Sequence, residues 1–255
     1  MSTLFWPEFG ILFLAALIGA AAVVPYGLRL AQGKPLKFSI QVVFLLSLVQ
    51  NAILFGIAIG LGLLAAHAIG LGAPYLESLL AGANIPGSAG PVIALVLGSV
   101  AGASLLIADL FFEPYWPQAL REVALKTSVL ENLLASLYGG VNEELLLRLF
   151  GFSALAWLLS LVTPLSTPIL WVVNVVMTIL FGAGHLPALK QMLGSIPRLM
   201  MIRTMFLNAP IGLLCGWLFW TYGIEAAIVA HFSTDIVYHV FGTFVLRRIG
   251  SRARA

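Results

Sequence analysis

Charge is what this chain has least of: Asp, Glu, Lys and Arg make up 9% of its 255 residues, against roughly a quarter in soluble domains. With 61% hydrophobic residues and a mean hydropathy of +1.05, that scarcity excludes an ordinary soluble domain and a disordered chain. An integral membrane protein is what remains. Cysteine is as scarce. Cys215 stands alone, so neither a disulfide framework nor dithiol redox chemistry is open to the chain. The net charge of +3 comes from basic residues that are few and scattered around apolar runs. They read as topology determinants, and no nucleic-acid partner is expected.

What the chain does have is apolar runs of about 20 residues, the length that crosses a hydrocarbon core of roughly 30 Å. They fall near 9–28, 39–66, 91–112, 144–161, 168–185, 200–221 and 224–246. The expected fold is all-α: a polytopic membrane helix bundle of about seven to eight transmembrane helices, forming a single membrane domain over 1–255. The segment 126–142 is amphipathic, with Lys126, Glu131 and Asn132 interrupting its leucines. It reads equally as an interfacial helix, the lower part of the fourth span, or an eighth crossing. Small residues four apart, Gly56, Gly60 and then Gly62, suit close helix packing.

The first span starts with Ser2 and Thr3 and no basic residue, unlike a secretory signal peptide, so it is expected to be retained. Basic residues follow the first span (Arg29, Lys34, Lys37) and the third (Arg121, Lys126), sit between the fifth and sixth (Lys190, Arg198), and close the chain (Arg247, Arg248, Arg252, Arg254). The positive-inside rule makes those segments cytoplasmic, with the N-terminus outside and the C-terminus inside. In a bacterial cell this is the plasma (inner) membrane. The loops carrying Glu77, Thr163 to Pro168 and Tyr222 to Glu225 hold no Lys or Arg and are expected to be external. Turn signals at Gly33-Lys34-Pro35, Asn84-Ile85-Pro86-Gly87, Pro164 to Pro168 and Tyr222-Gly223 agree with these boundaries.

The informative residues are ionisable ones inside apolar runs, since a charge at the bilayer centre costs on the order of 2.5–3.5 kcal/mol even on the lenient insertion scale. Three places hold them. In Asn142-Glu143-Glu144-Leu145-Leu146-Leu147-Arg148, Glu144 and Arg148 are four apart, share a helix face and can neutralise each other. Glu143 lies about 100° around the helix from Glu144, which leaves its carboxylate for other work. The second place is Phe181-Gly182-Ala183-Gly184-His185, where small residues let another backbone approach the imidazole. The third is Ala230-His231-Phe232-Ser233-Thr234-Asp235, with His231 and Asp235 on one face. A Glu-Arg pair alone is often a structural staple, and a lone histidine at a helix end is often interfacial. Together the three weigh more: of the five acidic residues after 128, three sit here, with two of the three histidines.

These residues resemble the CAAX prenyl protease and bacteriocin-processing (CPBP) family of intramembrane proteases, the type II CAAX protease group. Its pattern of Glu-Glu-x-x-x-Arg, Phe-x-x-x-His and His-x-x-x-Asn/Asp on successive membrane helices reads here, in order, as Glu143-Glu144…Arg148, Phe181…His185 and His231…Asp235. The resemblance covers about 125–246, the part carrying the catalytic core motifs; 1–120 matches only as generic N-terminal transmembrane helices. Two departures stand out: Leu147-Arg148-Leu149 replaces the Phe-Arg-Gly common around the motif arginine, and Asp235 stands where the prenyl protease branch has Asn.

The resemblance implies an intramembrane endopeptidase in which a glutamate-activated water hydrolyses a peptide bond of a membrane-associated or prenylated substrate within the lipid bilayer, without an essential metal. On that reading Glu143 is the general base, His185 positions or activates the water, and His231 and Asp235 hold the oxyanion or the scissile carbonyl. Glu144 and Arg148 hold the motif helix in place behind them. Two histidines and a carboxylate also form a reasonable zinc set with an open position for water, although no His-Glu-x-x-His pair is present. His239 reads as a packing or interfacial residue, and Asn174, about three turns before His185, can line the same cavity. The rival from another class is a non-hydrolytic transporter, or a scaffold or immunity protein, on the same fold. A straight count of spans leaves one tension: His185 falls near the cytoplasmic end of its helix and His231 only seven residues from the external end, yet they must meet.

Overall fold

The computed structural model describes residues 4–30 and 38–245. The expectations resting on Ser2, Thr3, Lys34, Lys37, the turn at 33–35 and the C-terminal arginines fall outside the described residues. Among the described residues there is no strand, and the helices come in long apolar rods. Helix α1 (Phe5–Ala22) runs into α2 (Val24–Leu30); α3 (Ile40–Ala68) is followed by the short α4 (Pro74–Leu80), and α5 (Ala89–Leu110) by the exposed amphipathic α6 (Gln118–Lys126). Then come α7 (Val129–Tyr138), two π-helical stretches, Gly139–Glu143 and Leu145–Phe152, and α8 (Ser153–Ser160), which join into one unbroken helix over 129–160. Helix α9 (Thr167–Gly184) passes through His185 into α10 (Leu186–Leu193), then α11 (Arg198–Tyr222) leads into α12 (Ile224–Asp235), continued by a π turn over Ile236–Phe241.

Six of these rods are long and apolar enough to cross a membrane: Phe5–Leu30, Ile40–Ala68, Ala89–Leu110, Thr167–Leu193, Arg198–Tyr222 and Ile224–Val245. The expectation of seven to eight is therefore reduced to six by length and composition among the described residues. The rod over 129–160 falls short because it carries Glu131, Glu143, Glu144 and Arg148. It also decides between the three readings of 126–142: from 129 on, that segment is the lower part of the motif helix. Its start is fixed locally by a capping box in which Ser128 and Glu131 satisfy each other's backbone N–H groups. Glu131 is further tied to Arg29 at 2.9 Å.

Each rod turns one stripe inward and leaves aliphatic side chains for lipid. On α3, Phe55, Ile59 and Leu63 are buried while Ile53, Ile57 and Leu61 are exposed. The buried side chains, from Phe5 and Leu12 through Leu145 and Phe152 to Ala226 and Ala230, form one cluster that the motif helix crosses. Backbone contact is closest along two seams. A Cβ at Gly98 or Gly102 of α5 would lie 2.3 Å from Ala230 O or 2.6 Å from Thr234 O, so α5 lies directly on the backbone of α12. Gly62 of α3 meets Leu149 O of the motif helix in the same way, at 2.9 Å. The expected close packing at Gly56 and Gly60 is not found: each faces a phenylalanine of α1 at an ordinary 3.7 Å.

Candidate active site

The first half of the motif helix places two adjacent glutamates in different surroundings. Glu144 is fully buried, with Arg148 Nη1 donating to its Oε1 at 2.7 Å one turn on. Arg148, itself 1% exposed, donates its second terminal nitrogen to Gly212 O at 2.9 Å and lies 5.1 Å over the ring of Phe181. Glu143 is partly open instead and lines a cavity of about 1010 Å³ together with His185, His231, Asp235 and His239. The helix is π-wound on either side of Glu144, a winding that recurs at functional sites.

Both motif histidines turn Nε2 toward Glu143, and in each the other ring nitrogen is occupied. His185 Nδ1 lies 2.9 Å from Phe181 O; a carbonyl only accepts, so Nδ1 carries a proton and Nε2 is the nitrogen turned to the cavity. His231 Nδ1 lies 2.6 Å from Glu144 Oε1. That oxygen already accepts from Arg148, so Nδ1 is again the donor. The two Nε2 atoms each sit 3.9 Å from Glu143 Oε2. Phe181 fixes both rings by edge-to-face contact, at 4.9 Å to His185 and 5.4 Å to His231. Asp235 Oδ1 is 3.9 Å from His231 Nε2 and also 3.9 Å from His239 Nε2.

The structure thus gathers Glu143, His185, His231 and Asp235 around one cavity, with Glu144 and Arg148 behind them. Meeting at Glu143 removes the tension in the span count: the rod that begins at Thr167 continues past His185 to Leu193, so His185 does not stand at its end. Glu144 reaches further than holding its own helix, because it also orients His231 on α12. His239, expected as a packing or interfacial residue, lines the cavity, carried there by the π turn after Asp235. Asn174 does not reach the cavity: it donates to Leu213 O at 2.9 Å and clamps α9 to α11.

Sequence reasoning missed two features. A Cβ on Gly139 would lie 2.6 Å from Asp235 Oδ2, and one on Gly140 would lie 2.8 Å from Phe232 Cβ, so this glycine pair lets α12 close onto the motif helix. Its signal was two adjacent glycines within a helical run, each costing about 1 kcal/mol against Ala. Asp109 binds Arg203 through both oxygens at 2.5 Å and accepts from Tyr238 at 2.5 Å, and Arg203 lies 5.0 Å over Trp116, a polar wall to the same cavity. Asp109 and Arg203 are themselves charges within apolar spans, the signal that identified the other residues. For a metal, the donor atoms gathered here within 4.8 Å of one another are those of Glu144, Cys215 and His231, not Glu143 and His185. Arg148 already holds the Glu144 oxygen of that set, which opposes a cation there.

Residues 125–237 match a family model described as type II CAAX prenyl endopeptidase, Rce1-like. No curated protein and no solved structure matches the chain. The stretch matched begins just before the motif helix and ends two residues beyond Asp235, so it contains all three motifs.

Proposed function

We propose, from the match of residues 125–237 to the Rce1-like type II CAAX prenyl endopeptidase family model, that this multi-pass membrane protein hydrolyses a peptide bond by a water that Glu143 activates. The observation that carries the reading is the spacing of Glu143 Oε2, 3.9 Å from each of two imidazole nitrogens whose rings are already oriented. A gap of that size is too long for a direct hydrogen bond and suits a water held between the groups.

The water gives its proton to Glu143 while its oxygen attacks the scissile carbonyl carbon. His185, with its Nε2 lone pair facing the same point, aligns the water. Charge gathering on the carbonyl oxygen is met from the α12 side, by His231 when Nε2 is also protonated and by Asp235 as a neutral acid. Glu144, 2.6 Å from His231 Nδ1, is the carboxyl group that faces its charge throughout the step. When the C–N bond breaks, the proton on Glu143 passes to the departing amine and the site is restored.

The substrate is a membrane-associated or prenylated peptide, for which the largely aliphatic cavity offers an apolar berth beside a polar reaction centre. The basic residues Arg29, Arg121, Lys126, Lys190 and Arg198 support a cytoplasmic position for the segments that carry them, by the positive-inside rule. The test is cleavage of prenylated and unmodified quenched-fluorescent peptides by the purified protein and by Glu143→Gln. Cleavage by the parent that falls about 10²–10⁴-fold in the variant supports the general base. Equal cleavage by both, or solute transport into sealed vesicles without cleavage, refutes it.

A further inference from the structure

A second group of titratable side chains lies at the other end of the molecule. Glu8 precedes Gly19, the point where Asn142 of the motif helix seats on α1, by 11 residues, or about 16 Å of helix at 1.5 Å per residue. Its carboxyl group is fully buried, and neither oxygen has a hydrogen-bond partner. His67, in the last turn of α3, brings Nε2 to 3.2 Å from Glu8 Oε2, and this nitrogen too is without a hydrogen bond. Glu77 of α4 places Oε1 3.6 Å from the same nitrogen, steadied by the Ala73 N–H at 2.8 Å. The loop between α3 and α4 passes tightly around the group: a Cβ on Gly72 would sit 2.3 Å from Glu77 Oε1.

The three donor atoms lie within 4.8 Å of one another. Tetrahedral ligands at the usual zinc distance of about 2.0–2.1 Å stand roughly 3.3–3.4 Å apart, and the separations of 3.2 and 3.6 Å bracket that value. A cavity of about 850 Å³ adjoins the group and gives an ion and a water ligand a way in; its lining includes Glu8, His67 and Glu77 and no Lys or Arg. One imidazole and two carboxylates suit a borderline transition-metal ion better than calcium, which takes six to eight oxygens.

We propose that Glu8, His67 and Glu77 form a binding site for a divalent transition-metal ion, zinc first, which ties α1, α3 and α4 together at the end of the bundle away from Glu143. The site is independent of the hydrolytic reading and supplies nothing to that reaction.

The experiment uses the full-length protein in detergent, stripped with a chelator, reloaded with zinc chloride and washed. Bound zinc is counted by atomic absorption for the parent, Glu8→Gln and His67→Gln, each selected for the parent's elution volume. The parent is expected to hold one zinc per chain more than either variant. Its Tm should rise by about 5 °C on zinc addition, as for a ligand well above its Kd, with the variants unmoved. Calcium at the same concentration should leave every Tm unchanged. Equal zinc content in parent and variants, no zinc-dependent shift in the parent as for a plain Glu8–His67 ion pair, or an equal response to calcium would each overturn the assignment.

Discussion

The adjacent glutamates make the sharpest test, because one substitution made at neighbouring positions should give opposite phenotypes. In Glu144→Gln the amide no longer neutralises Arg148, whose guanidinium is 1% exposed. Removing one partner of a buried pair costs about 3–5 kcal/mol, and Arg148 keeps its bond to Gly212 O and its contact with Phe181, which favours the lower end. At about 2–4 °C per kcal/mol for a chain near this size, Tm should fall by roughly 6–20 °C. Glu143→Gln disturbs a side chain that is 26% exposed and lies 3.9 Å from its nearest ionic partners, so Tm should stay within about 2 °C while cleavage is lost. Thermal unfolding in detergent, followed by tryptophan fluorescence, reads the first effect, and peptide cleavage reads the second. The double variant Glu144→Gln/Arg148→Met should recover much of the stability, since neither charge is then left alone, yet stay impaired in cleavage because the amide oxygen left to accept the His231 Nδ1 proton carries no charge to balance an imidazolium. A Glu144→Gln protein as stable as the parent, or a Glu143→Gln protein as unstable as Glu144→Gln, would refute the reasoning.

Gly139→Ala should lower kcat about tenfold or more with little change in Tm, because the new methyl meets the tip of Asp235 rather than backbone; steady-state kinetics beside a melting curve checks this. Asp235→Asn keeps a donor toward the oxyanion and should retain activity within about tenfold, whereas Asp235→Ala should lose about 10²–10³-fold. A comparison of kcat for the two variants decides, and equal losses would remove Asp235 from the reaction. Chelator treatment of Glu8→Gln, in which the distal site is disabled, should leave its cleavage rate unchanged; loss of cleavage there would point to a metal at the Glu143 site.

Much of the site was legible because the bilayer makes charge conspicuous. Glu143, Glu144, Arg148, His231 and Asp235 stand out in a chain with so few charged groups, and helical spacing alone joins Glu144 to Arg148. The family's pattern then set the order of the pieces. What spacing could not give was contact between helices: that Glu144 reaches His231 across 87 positions of chain, or that Phe181 wedges against both imidazoles and the guanidinium. The π winding on either side of Glu144 has no residue-type signature, so neither it nor the inward turn of His239 was readable. The span counts differ at the motif helix: 144–161 reads as a crossing in the sequence, while the rod over 129–160 is not among the six apolar rods. That rod carries Glu131, Glu143, Glu144 and Arg148, although its length would span a bilayer. Glu8, His67 and Glu77 lie too far apart in sequence for any motif, and only the folded bundle joins them.

The glycine seam between α5 and α12 bears on a question of mechanics. With Gly98 and Gly102 pressed on the backbone at Ala230 and Thr234, and Thr234 Oγ1 donating to Gly98 O at 2.9 Å, α12 has no freedom to slide or roll against its neighbour by less than a full turn. Transmembrane helices ordinarily answer a thicker or thinner bilayer by tilting. Here His231 and Asp235 ride on a helix whose level is set by protein and not by lipid. Their height relative to α5 is therefore set by backbone contact, and a change in acyl-chain length is expected to move α5 and α12 together rather than past one another.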